Sequence, residues 1–373
     1  MSDYPYTSIV AALRETTPFV GPEALARTRG LNIRARMGAN ESVFGPSPKA
    51  IAAMRQAAAE VWKYGDPEVH DLRVALAAQH GVAPDNITVG EGIDGLHGIF
   101  VRLFVAPGAT VVTSQGAYPT FNYHVAGSGG RLVTAPYRGD REDPEALLTL
   151  ARAERARVVF LANPDNPMGT WWDAATVQKL IDGLPDDCLL CLDEAYADFA
   201  PEGTIPHIDV SSRRVMRFRT FSKAHGMAGL RVGYAIGEAS LCRAFDRLRN
   251  HFGVGRIAQA GALASLSDLE HIAFVKRQVA EGRDRIAAIA SENGLTPIPS
   301  ATNFVTVDCG GDGVFARRVL DGVLARGIFI RMPGVAPLDR CIRVSVGTPE
   351  NLDALARVLP EALADARQVS NQS

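Results

Sequence analysis

The sequence predicts an α/β protein in which a three-layer large domain with a mainly parallel sheet precedes a smaller α+β domain. Short continuous apolar runs, without strict alternation, are typical of strands buried on both faces of a parallel sheet. These runs alternate along the chain with segments of helical periodicity, which is the order of an α/β fold. After about residue 270 long helical segments precede short strands, and this change indicates the second domain.

The strands of the large sheet are expected in these apolar runs: TVVTSQ, RVVFLANP, CLLCLDEAY, VMRFRTFS and RVGYAIG. A helix is predicted over residues 47–62, because Ser47 and Pro48 form a start signal. Apolar side chains follow there at helical spacing: Ile51, Met54, Ala58, Val61 and Trp62. Another helix is expected to begin after the capping residue Asp173 and to end near Gly183.

The length of the chain, 373 residues, is more than one small core requires. We expect residues 1–40, which are broken by Pro and Gly, to pack with the small domain. Residues 41–269 are expected to form the large domain with the ligand site, and residues 270–373 the small C-terminal domain. The last segment, RQVSNQS, has the composition of a disordered tail.

The composition restricts the possible partners and the compartment. The formal net charge is −2 and no run of basic residues occurs, which argues against nucleic acid and membranes as partners. The N-terminal segment does not resemble a secretory signal, and the apolar run GIFVRLFVAPG contains Arg102 and is too short to span a bilayer. An odd number of cysteines, five, indicates a reducing compartment, so we expect a cytoplasmic protein.

Two of the cysteines, Cys188 and Cys191, form a C-x-x-C pattern in a strand-like apolar run. Residues three apart in a strand point to opposite faces of a sheet. No second pair of Cys or His residues stands at metal-binding spacing. We therefore expect two buried strand residues and no metal site.

The stretch VGEGIDG contains a G-x-G-x-x-G pattern formed by Gly90, Gly92 and Gly95. A dinucleotide site needs an acidic residue about 20 positions further on, and the chain has no Asp or Glu between Gly95 and Gly139. An NAD-dependent oxidoreductase is therefore disfavoured, as is a P-loop nucleotide site, whose motif does not occur. A glycine-rich turn that enters a helix still favours an anion, so we expect it to bind the phosphate of another ligand.

Three further segments carry groups suited to chemistry, although each alone is ambiguous. NPDNPMGT places Asn166 in a tight turn after an apolar strand. CLDEAYADF ends another strand with Asp193 and Tyr196, at the edge where α/β sheets hold ligands. RTFSKAHGMAGLRVGY surrounds Lys223 with phosphate-binding groups: Thr220, Ser222 and Arg231. Nearby cations lower the pKa of an amine and make it nucleophilic, as a Schiff-base lysine requires.

Taken together and in this order, the segments are specific, and the chain resembles the class I/II pyridoxal-phosphate aminotransferases of fold type I. It is most similar to their histidinol-phosphate aminotransferase branch. The resemblance extends over most of the chain and is carried by ANESVFGPSP, YGDPEVHDLRVALA, VGEGIDG, NPDNPMG, DEAYADF, TFSKAHGMAGLRVGY and IRVSVGTPENL.

This resemblance implies pyridoxal 5'-phosphate as the cofactor of residues 41–269. Lys223 would be the Schiff-base lysine that also moves a proton, and Asp193 would pair with the pyridine nitrogen. Tyr196 and Asn166 would bond the phenolic oxygen of the ring, and Tyr118 would stack on its face. The resemblance assigns the cofactor phosphate to Gly92, Ile93, Asp94, Thr220, Ser222 and Arg231.

The resemblance also implies a homodimer in which Tyr64 reaches the cofactor phosphate of the neighbouring subunit. Arg343 would clamp the α-carboxylate of the substrate with its two-pronged guanidinium group. Asn40 and Phe19 are expected beside the substrate, and Arg331 either meets a substrate phosphate or is a surface arginine.

The sequence departs from the family pattern mainly on the substrate side. Ile93 and Gly95 replace a small residue and a Glu in the phosphate turn, and Met168 stands where Thr is usual, but backbone donors survive both changes. Phe19 stands where a phosphate-binding Tyr is usual, and the segment RNHFGVGRIAQ, residues 249–259, replaces a Pro-Tyr-Asn segment. An aromatic side-chain pocket is a further hypothesis, formed by Phe19, Tyr123, His251 and Phe252.

We therefore expect a pyridoxal-phosphate-dependent aminotransferase that acts by a ping-pong mechanism. The expected reaction is histidinol-phosphate:2-oxoglutarate transamination, a step of histidine biosynthesis. The alternatives are an aminotransferase for aromatic or other amino acids and a decarboxylase of the threonine-phosphate type, which breaks a different bond at Cα.

Overall fold

The computed structural model describes residues 4–15 and 19–370. Its helices are α1 (Ser8–Ala11), α2 (Pro22–Arg29), α3 (Pro48–Ala58), α4 (His70–His80), α5 (Gly92–Phe104), α6 (Pro119–Gly127), α7 (Pro144–Ala153), α8 (Ala174–Gly183), α9 (Ala239–Ala244), α10 (Arg256–Leu266), α11 (Leu269–Glu292), α12 (Gly313–Ala325) and α13 (Pro349–Ser370). Its strands are β1 (Ala35–Arg36), β2 (Ile87–Gly90), β3 (Thr110–Ser114), β4 (Arg131–Ala135), β5 (Val158–Ala162), β6 (Leu189–Asp193), β7 (Val215–Thr220), β8 (Gly233–Ile236), β9 (Thr296–Pro297), β10 (Phe304–Asp308), β11 (Ile328–Phe329) and β12 (Cys341–Ser345).

The large sheet has seven strands in the order β2-β8-β7-β6-β5-β3-β4. The strands from β7 to β4 run parallel to one another. Strand β8 is antiparallel to both of its neighbours, so the sheet is mainly parallel, as the continuous apolar runs predict. Each predicted run contains one of these strands, and the expected α/β fold class is confirmed.

Helices cover both faces of this sheet. On β5, Phe160 packs in a core with residues of α5 and α6, whereas its neighbour Leu161 packs in another core with residues of α7 and α8. The same alternation separates the two cysteines of the C-x-x-C pattern, since Cys191 lies in the first core and Cys188 in the second. All five cysteines are buried and free. The layers are therefore helix, sheet and helix.

Three of the remaining strands form a separate antiparallel sheet, β12-β10-β9, which packs against α11, α12 and α13 through a common apolar core. Strand β1 pairs with β11 in parallel, so this part of the N-terminal segment lies beside the C-terminal elements. The division of the chain into domains at residues 40 and 269 stays a prediction.

Two predicted elements differ from the structure. Helix α3 is capped by the Ser47 side chain, as expected, but ends at Ala58. Val61 and Trp62 lie beyond it and are 61% and 79% exposed, so the helical spacing of these two residues was misleading. The tail predicted to be disordered is helical as far as Ser370, because α13 continues through it. Residues 371–373 of that tail lie outside the described residues.

The helix predicted after Asp173 begins and ends as expected, and the Asp173 side chain accepts a hydrogen bond from the Thr176 amide. Within the described ranges, none of the helices combines the length and the apolar character that a membrane span needs.

Candidate active site

A cleft of about 490 Å³ opens at the carboxyl ends of the central parallel strands, which is where such sheets bind ligands. It is lined by most of the predicted site residues: Phe19, Ile93, Asp94, Tyr118, Asn166, Asp193, Tyr196, Thr220, Ser222, Lys223 and Arg231. The fold thus brings together side chains that are far apart in the sequence, from Phe19 to Arg231. Other residues also line the cleft, such as Glu41 and Pro164, and these were not identified from the sequence.

Lys223 follows β7 and reaches into this cleft. Its Nζ atom donates a hydrogen bond to the main-chain oxygen of Asn40, at 3.0 Å. Burial lowers the pKa of Lys223 to about 8, and the nearby Arg343 acts in the same direction. At pH 7 about a tenth of this amine is therefore neutral and nucleophilic, a far larger fraction than in an ordinary lysine.

Asp193 is the last residue of β6 and is only 6% exposed. Its Oδ1 atom accepts a hydrogen bond from the Ala195 amide at 2.9 Å. Burial raises the pKa of Asp193 to about 7 despite this bond. A carboxyl group held in this way is prepared for a cationic or N–H partner in the cleft.

His97 lies behind Asp193, and sequence reasoning missed it. Its Nε2 atom is 4.0 Å from Oδ2 of Asp193, and the imidazole is completely buried. A lone His within the apolar helix sequence GIDGLHGIFVRLF is typical of a core residue, so the sequence contained no signal that pointed to the site.

Tyr196 lines the cleft and is hydrogen-bonded to Asn40, a predicted site residue that does not itself line it. The Asn40 amide donates a hydrogen bond to the Tyr196 hydroxyl at 2.9 Å, and its side-chain oxygen accepts one from Ser345 at 2.8 Å. Asn40 is 2% exposed and has a left-handed backbone, with φ of 54°. Because Asn40 also accepts the Lys223 bond, it links the amine, the phenol and β12.

The glycine-rich turn between β2 and α5 forms an anion cradle with residues that follow β7. The Thr220 and Ser222 hydroxyls are hydrogen-bonded to each other at 3.0 Å, and both side chains are buried. The Arg231 guanidinium lies so close to Gly92 that a Cβ atom on this glycine would be 2.4 Å from Nη2. The start of a helix, two hydroxyls and a guanidinium therefore converge, a combination that binds phosphate.

Tyr118 lies beside this cradle at the start of α6. Its hydroxyl donates a hydrogen bond to Oδ1 of Asp94 at 2.9 Å, and burial raises its pKa. The Asp94 side chain therefore fixes the orientation of the Tyr118 ring along the wall of the cleft. This role is separate from any contact that the main-chain amide of Asp94 makes.

Arg343, on β12, does not itself line the cleft but lies next to Asn166, which does. Its guanidinium donates hydrogen bonds to the Asn166 side-chain oxygen and, at 3.3 Å, to the Gly38 carbonyl. Burial lowers the pKa of Arg343 to about 10. Its Nε atom is buried and has no hydrogen-bond partner in the described part of the chain.

Arg331 pairs with Arg343 through an isolated antiparallel bridge, in which each main-chain amide donates to the carbonyl of the other residue, at 3.1 and 2.7 Å. The Arg331 guanidinium lies over the Phe19 ring, 4.1 Å from its centroid, and donates to the Val20 carbonyl. Because directly opposed residues in an antiparallel pair share one face, the two arginine side chains emerge on the same side.

A comparison with known protein families now decides the class of this site. The sequence model of the family described as aminotransferase class I and II matches residues 34–359. The chain belongs to the class I and II aminotransferases.

Relatives within this aminotransferase family are similar over nearly the whole chain. A histidinol-phosphate aminotransferase of Roseiflexus castenholzii is 37% identical over 94% of this chain and 96% of its own. The corresponding protein of Anaeromyxobacter sp. is 35% identical over 94% and 98%. A crystal structure of histidinol-phosphate aminotransferase from Sinorhizobium meliloti in complex with pyridoxal-5'-phosphate is 53% identical, with a TM-score of 0.95 over 98% of this chain and 99% of the other.

A solved Thermus thermophilus aspartate aminotransferase shares the fold of this aminotransferase chain. It is 22% identical, with a TM-score of 0.80 over 96% of this chain and 100% of the other.

Tyr64 does not join the cleft of its own aminotransferase chain. It is 75% exposed and stacks on Phe252, with the ring centroids 4.4 Å apart. The predicted aromatic pocket is wrong for a single chain, because Tyr123 and His251 line a different cavity, of about 590 Å³, and only Phe19 reaches the cleft. Among the residues described, no group of His, Cys, Asp or Glu could hold a metal ion.

Proposed function

We propose that this aminotransferase uses pyridoxal 5'-phosphate to exchange an amino group between histidinol phosphate and 2-oxoglutarate, by a ping-pong mechanism and as a homodimer. The observation that carries the proposal is the joint placement in one cleft of a buried amine, Lys223, a buried carboxyl group, Asp193, and an anion cradle. The names and the bound cofactor of the similar proteins support the same reaction, a step of histidine biosynthesis.

The residues of the cradle fit a cofactor phosphate. A Cβ atom on Gly92 would clash with Arg231, and one on Gly233 would be 2.9 Å from the Ile93 amide nitrogen, so only glycine leaves these donors free. The phosphate would be held by Thr220, Ser222, Arg231 and the main-chain amides of Gly92, Ile93 and Asp94. Tyr118 would cover the face of the ring, and Asn166 and Tyr196 would bond its phenolic oxygen.

When bound, pyridoxal phosphate supplies a carbonyl group that links to amines and a ring that accepts electrons from the α-carbon. The Asp193 carboxylate would hold the ring nitrogen in its protonated form, because a buried acid is stabilised by a cationic partner. Lys223 would carry the cofactor through Nζ. Once released, Nζ would remove and return the proton at the α-carbon, a role suited to an amine whose pKa is lowered to about 8.

The substrate would lie between the cofactor and the two paired arginines. Arg343, whose guanidinium is bonded to the cleft residue Asn166, would bind a carboxylate, and Arg331, its partner in the antiparallel bridge, would bind a second anionic group. Histidinol phosphate has one phosphate, whereas glutamate and 2-oxoglutarate have two carboxylates. Because both half reactions must use one site, two separate guanidinium groups suit this pair of substrates.

The homodimer would complete each site with Tyr64 of the other subunit. Tyr64, Trp62 and Phe252 expose large aromatic surfaces, and a patch of this kind is typical of a subunit interface. Tyr64 has no function within its own cleft, which is consistent with a contact across the interface.

A panel of amino donors tests this proposal: histidinol phosphate, phenylalanine, tyrosine and glutamate. We expect histidinol phosphate to give the highest kcat/KM with 2-oxoglutarate, and Lys223→Ala to abolish both turnover and the visible absorption of the bound cofactor. Lys179→Ala, a change on the outer surface of α8, is the control and should behave as wild type. A Lys223→Ala variant with normal turnover would overturn the mechanism.

Other results of the panel would replace the proposed substrate or reaction. Preference for phenylalanine or tyrosine would indicate an aromatic aminotransferase. Release of CO2 without an oxo product would indicate a decarboxylase, and saturable binding of NADH would indicate an oxidoreductase.

A further inference from the structure

His97 is a buried polar side chain that the proposed mechanism does not use. It is fully buried, and neither of its ring nitrogens has a hydrogen-bond partner in residues 4–15 and 19–370. Leaving a polar group unpaired in the core is unfavourable, so a histidine at this position calls for a physical reason.

The surroundings of His97 hold its ring in one orientation. Phe121 and Phe160 present edge contacts at 5.5 and 5.7 Å between centroids, with interplanar angles of 88° and 84°. Phe218 contacts the third side at 4.7 Å and 67°. Within this apolar cage Nε2 lies 4.0 Å from Oδ2 of Asp193.

His97 is also one helical turn from the phosphate cradle. Residues three and four apart share a helix face, so His97 lies on the side of α5 that carries Ile93 and Asp94, which line the cleft. The imidazole therefore lies beneath the floor of the cleft, beside Asp193.

The protonation states of His97 and Asp193 limit the kinds of interaction that the two side chains can make. Burial, with the neighbouring His124, lowers the pKa of His97 to about 3, so the imidazole is neutral and carries one N–H. Burial raises the pKa of Asp193 to about 7; Asp94 and Glu194 act in the same direction, while the Ala195 amide and Lys223 oppose them. A bare Nε2 lone pair facing the ionised carboxylate would be repulsive, so ionisation of Asp193 favours the tautomer with hydrogen on Nε2.

We propose that His97 is a positioning residue for Asp193, which directs its Nε2–H at Oδ2 and thereby orients the carboxylate and favours its ionised form. The distance of 4.0 Å is beyond that of a hydrogen bond, so the interaction is between the N–H dipole and the charge, and a movement of about 1 Å would close it. Together with the Ala195 amide, each carboxylate oxygen then faces an N–H donor of the protein. This inference rests on the proposed function of Asp193 as the partner of the cofactor ring.

The first test uses the full-length apoprotein and needs no activity. Protein labelled with ¹⁵N-histidine is studied by NMR between about pH 5.5 and 8.5, a range in which an ordinary histidine changes its charge. The His97 signal is assigned by its loss in His97→Gln. We expect a neutral imidazole throughout and the Nε2–H tautomer above about pH 7, where Asp193 is ionised. The signals should shift in Asp193→Ala but not in Asp186→Ala, a surface control. The Nδ1–H tautomer above that pH, a charged ring, or no response to Asp193→Ala would overturn the proposal.

The second test compares two variants for their retention of pyridoxal phosphate. His97→Leu keeps the apolar volume without a donor and should weaken cofactor binding about tenfold, as expected for one lost donor to a charged group. His97→Gln restores a donor and should recover most of that loss. Equal weakening in both variants would indicate a purely structural residue and contradict the proposal.

The two tests separate a failure of this inference from a failure of the proposed function. If Asp193→Ala keeps the cofactor with its normal absorption, the assigned role of Asp193 is wrong, whatever the NMR signals show. If Asp193→Ala loses the cofactor but the His97 signals do not respond to it, only the role of His97 is wrong.

Discussion

The residues of the cleft are arranged for binding at the expense of stability, and Asp193 shows this most directly. Its carboxyl group is desolvated, and the Ala195 amide is its one hydrogen-bond donor in the described chain. Burial raises its pKa to about 7, whereas an unfolded chain gives an Asp a pKa of about 4. The folded apoprotein therefore binds a proton that the unfolded chain releases between these values.

We predict that Asp193→Asn stabilises the apoprotein increasingly as the pH rises. Below about pH 4 both states of the wild type are protonated, so the variant has little effect. Between that pH and about 7 the free energy of unfolding of the wild type falls by up to about 1.4 kcal/mol per pH unit. The variant does not show this loss, because its amide is uncharged. Above about pH 7 the difference in stability between the two proteins is constant. Thermal unfolding of both apoproteins across this range measures the effect, and a difference that does not depend on pH would contradict the raised pKa.

The paired arginines give a second prediction at the scale of single residues. Arg343→Lys removes a two-pronged donor, and we expect KM for glutamate and for histidinol phosphate to rise, for glutamate by at least about tenfold, while the cofactor stays bound. Arg331→Lys serves as the comparison and should affect histidinol phosphate more strongly. Steady-state kinetics with each donor measures this split. Identical KM changes in the two variants would show that the arginines do not bind different groups.

Among the secondary-structure elements, the turn from β2 into α5 shows how much a glycine pattern can specify. Gly92 needs its φ of 76° and the absence of a Cβ atom beside Arg231. Both requirements belong to a phosphate cradle of any kind, so the pattern predicts an anion but not which one. The absence of an acidic residue after Gly95 argues against a dinucleotide. The distant residues Lys223 and Arg231 supply the remaining evidence about which phosphate the turn binds.

We predict that Gly92→Ala weakens binding of pyridoxal phosphate by at least about tenfold and lowers stability by about 1 kcal/mol, since an L-residue is strained at this φ. Gly81→Ala is the matched control, because Gly81 has a φ of 66° at the end of α4 and nothing lies within 4 Å of its added Cβ. It should lose similar stability but keep the cofactor. Equilibrium dialysis and thermal unfolding measure the two effects. A loss of cofactor in both variants would attribute the effect to strain alone.

The buried strands could be predicted from the sequence because a continuous apolar run is decided locally, by burial on both faces. The end of α3 could not, since Val61 and Trp62 continue the apolar spacing of the helix although they lie on the surface. His97 could not be distinguished from a core residue, because its proposed role depends on Asp193, which lies on a strand that is distant in the sequence. Local pattern thus determines the elements, while contacts between elements determine the site.

At the scale of the whole molecule, the order of the strands places Asp193 at the centre of the large sheet. Strand β12 of the separate small sheet carries Arg343 close enough to Lys223 to help lower its pKa. The family resemblance assigns residues to this site from sequence motifs alone, but motifs do not say which of these residues lie in the same subunit. Tyr64 is the case in question, since it lies on the surface beside Phe252.

We predict that inactive subunits complement each other if Tyr64 acts across the interface. Lys223→Ala and Tyr64→Ala are each expected to be nearly inactive. After the two are mixed and allowed to exchange subunits, a heterodimer has one site with both native residues and one with neither. Random exchange then restores about a quarter of the wild-type activity, because half of the dimers have one intact site.

The control for this experiment mixes Lys223→Ala with Asp193→Ala. These two residues line the same cleft of one chain, so every site of their heterodimer lacks one of them and no activity should return. Size-exclusion chromatography with light scattering establishes that both mixtures are dimeric. Differently tagged chains verify that subunits have exchanged. If neither mixture then recovers activity, Tyr64 does not act in the neighbouring site. If both mixtures recover activity, the defects of Lys223→Ala and Asp193→Ala do not belong to one cleft.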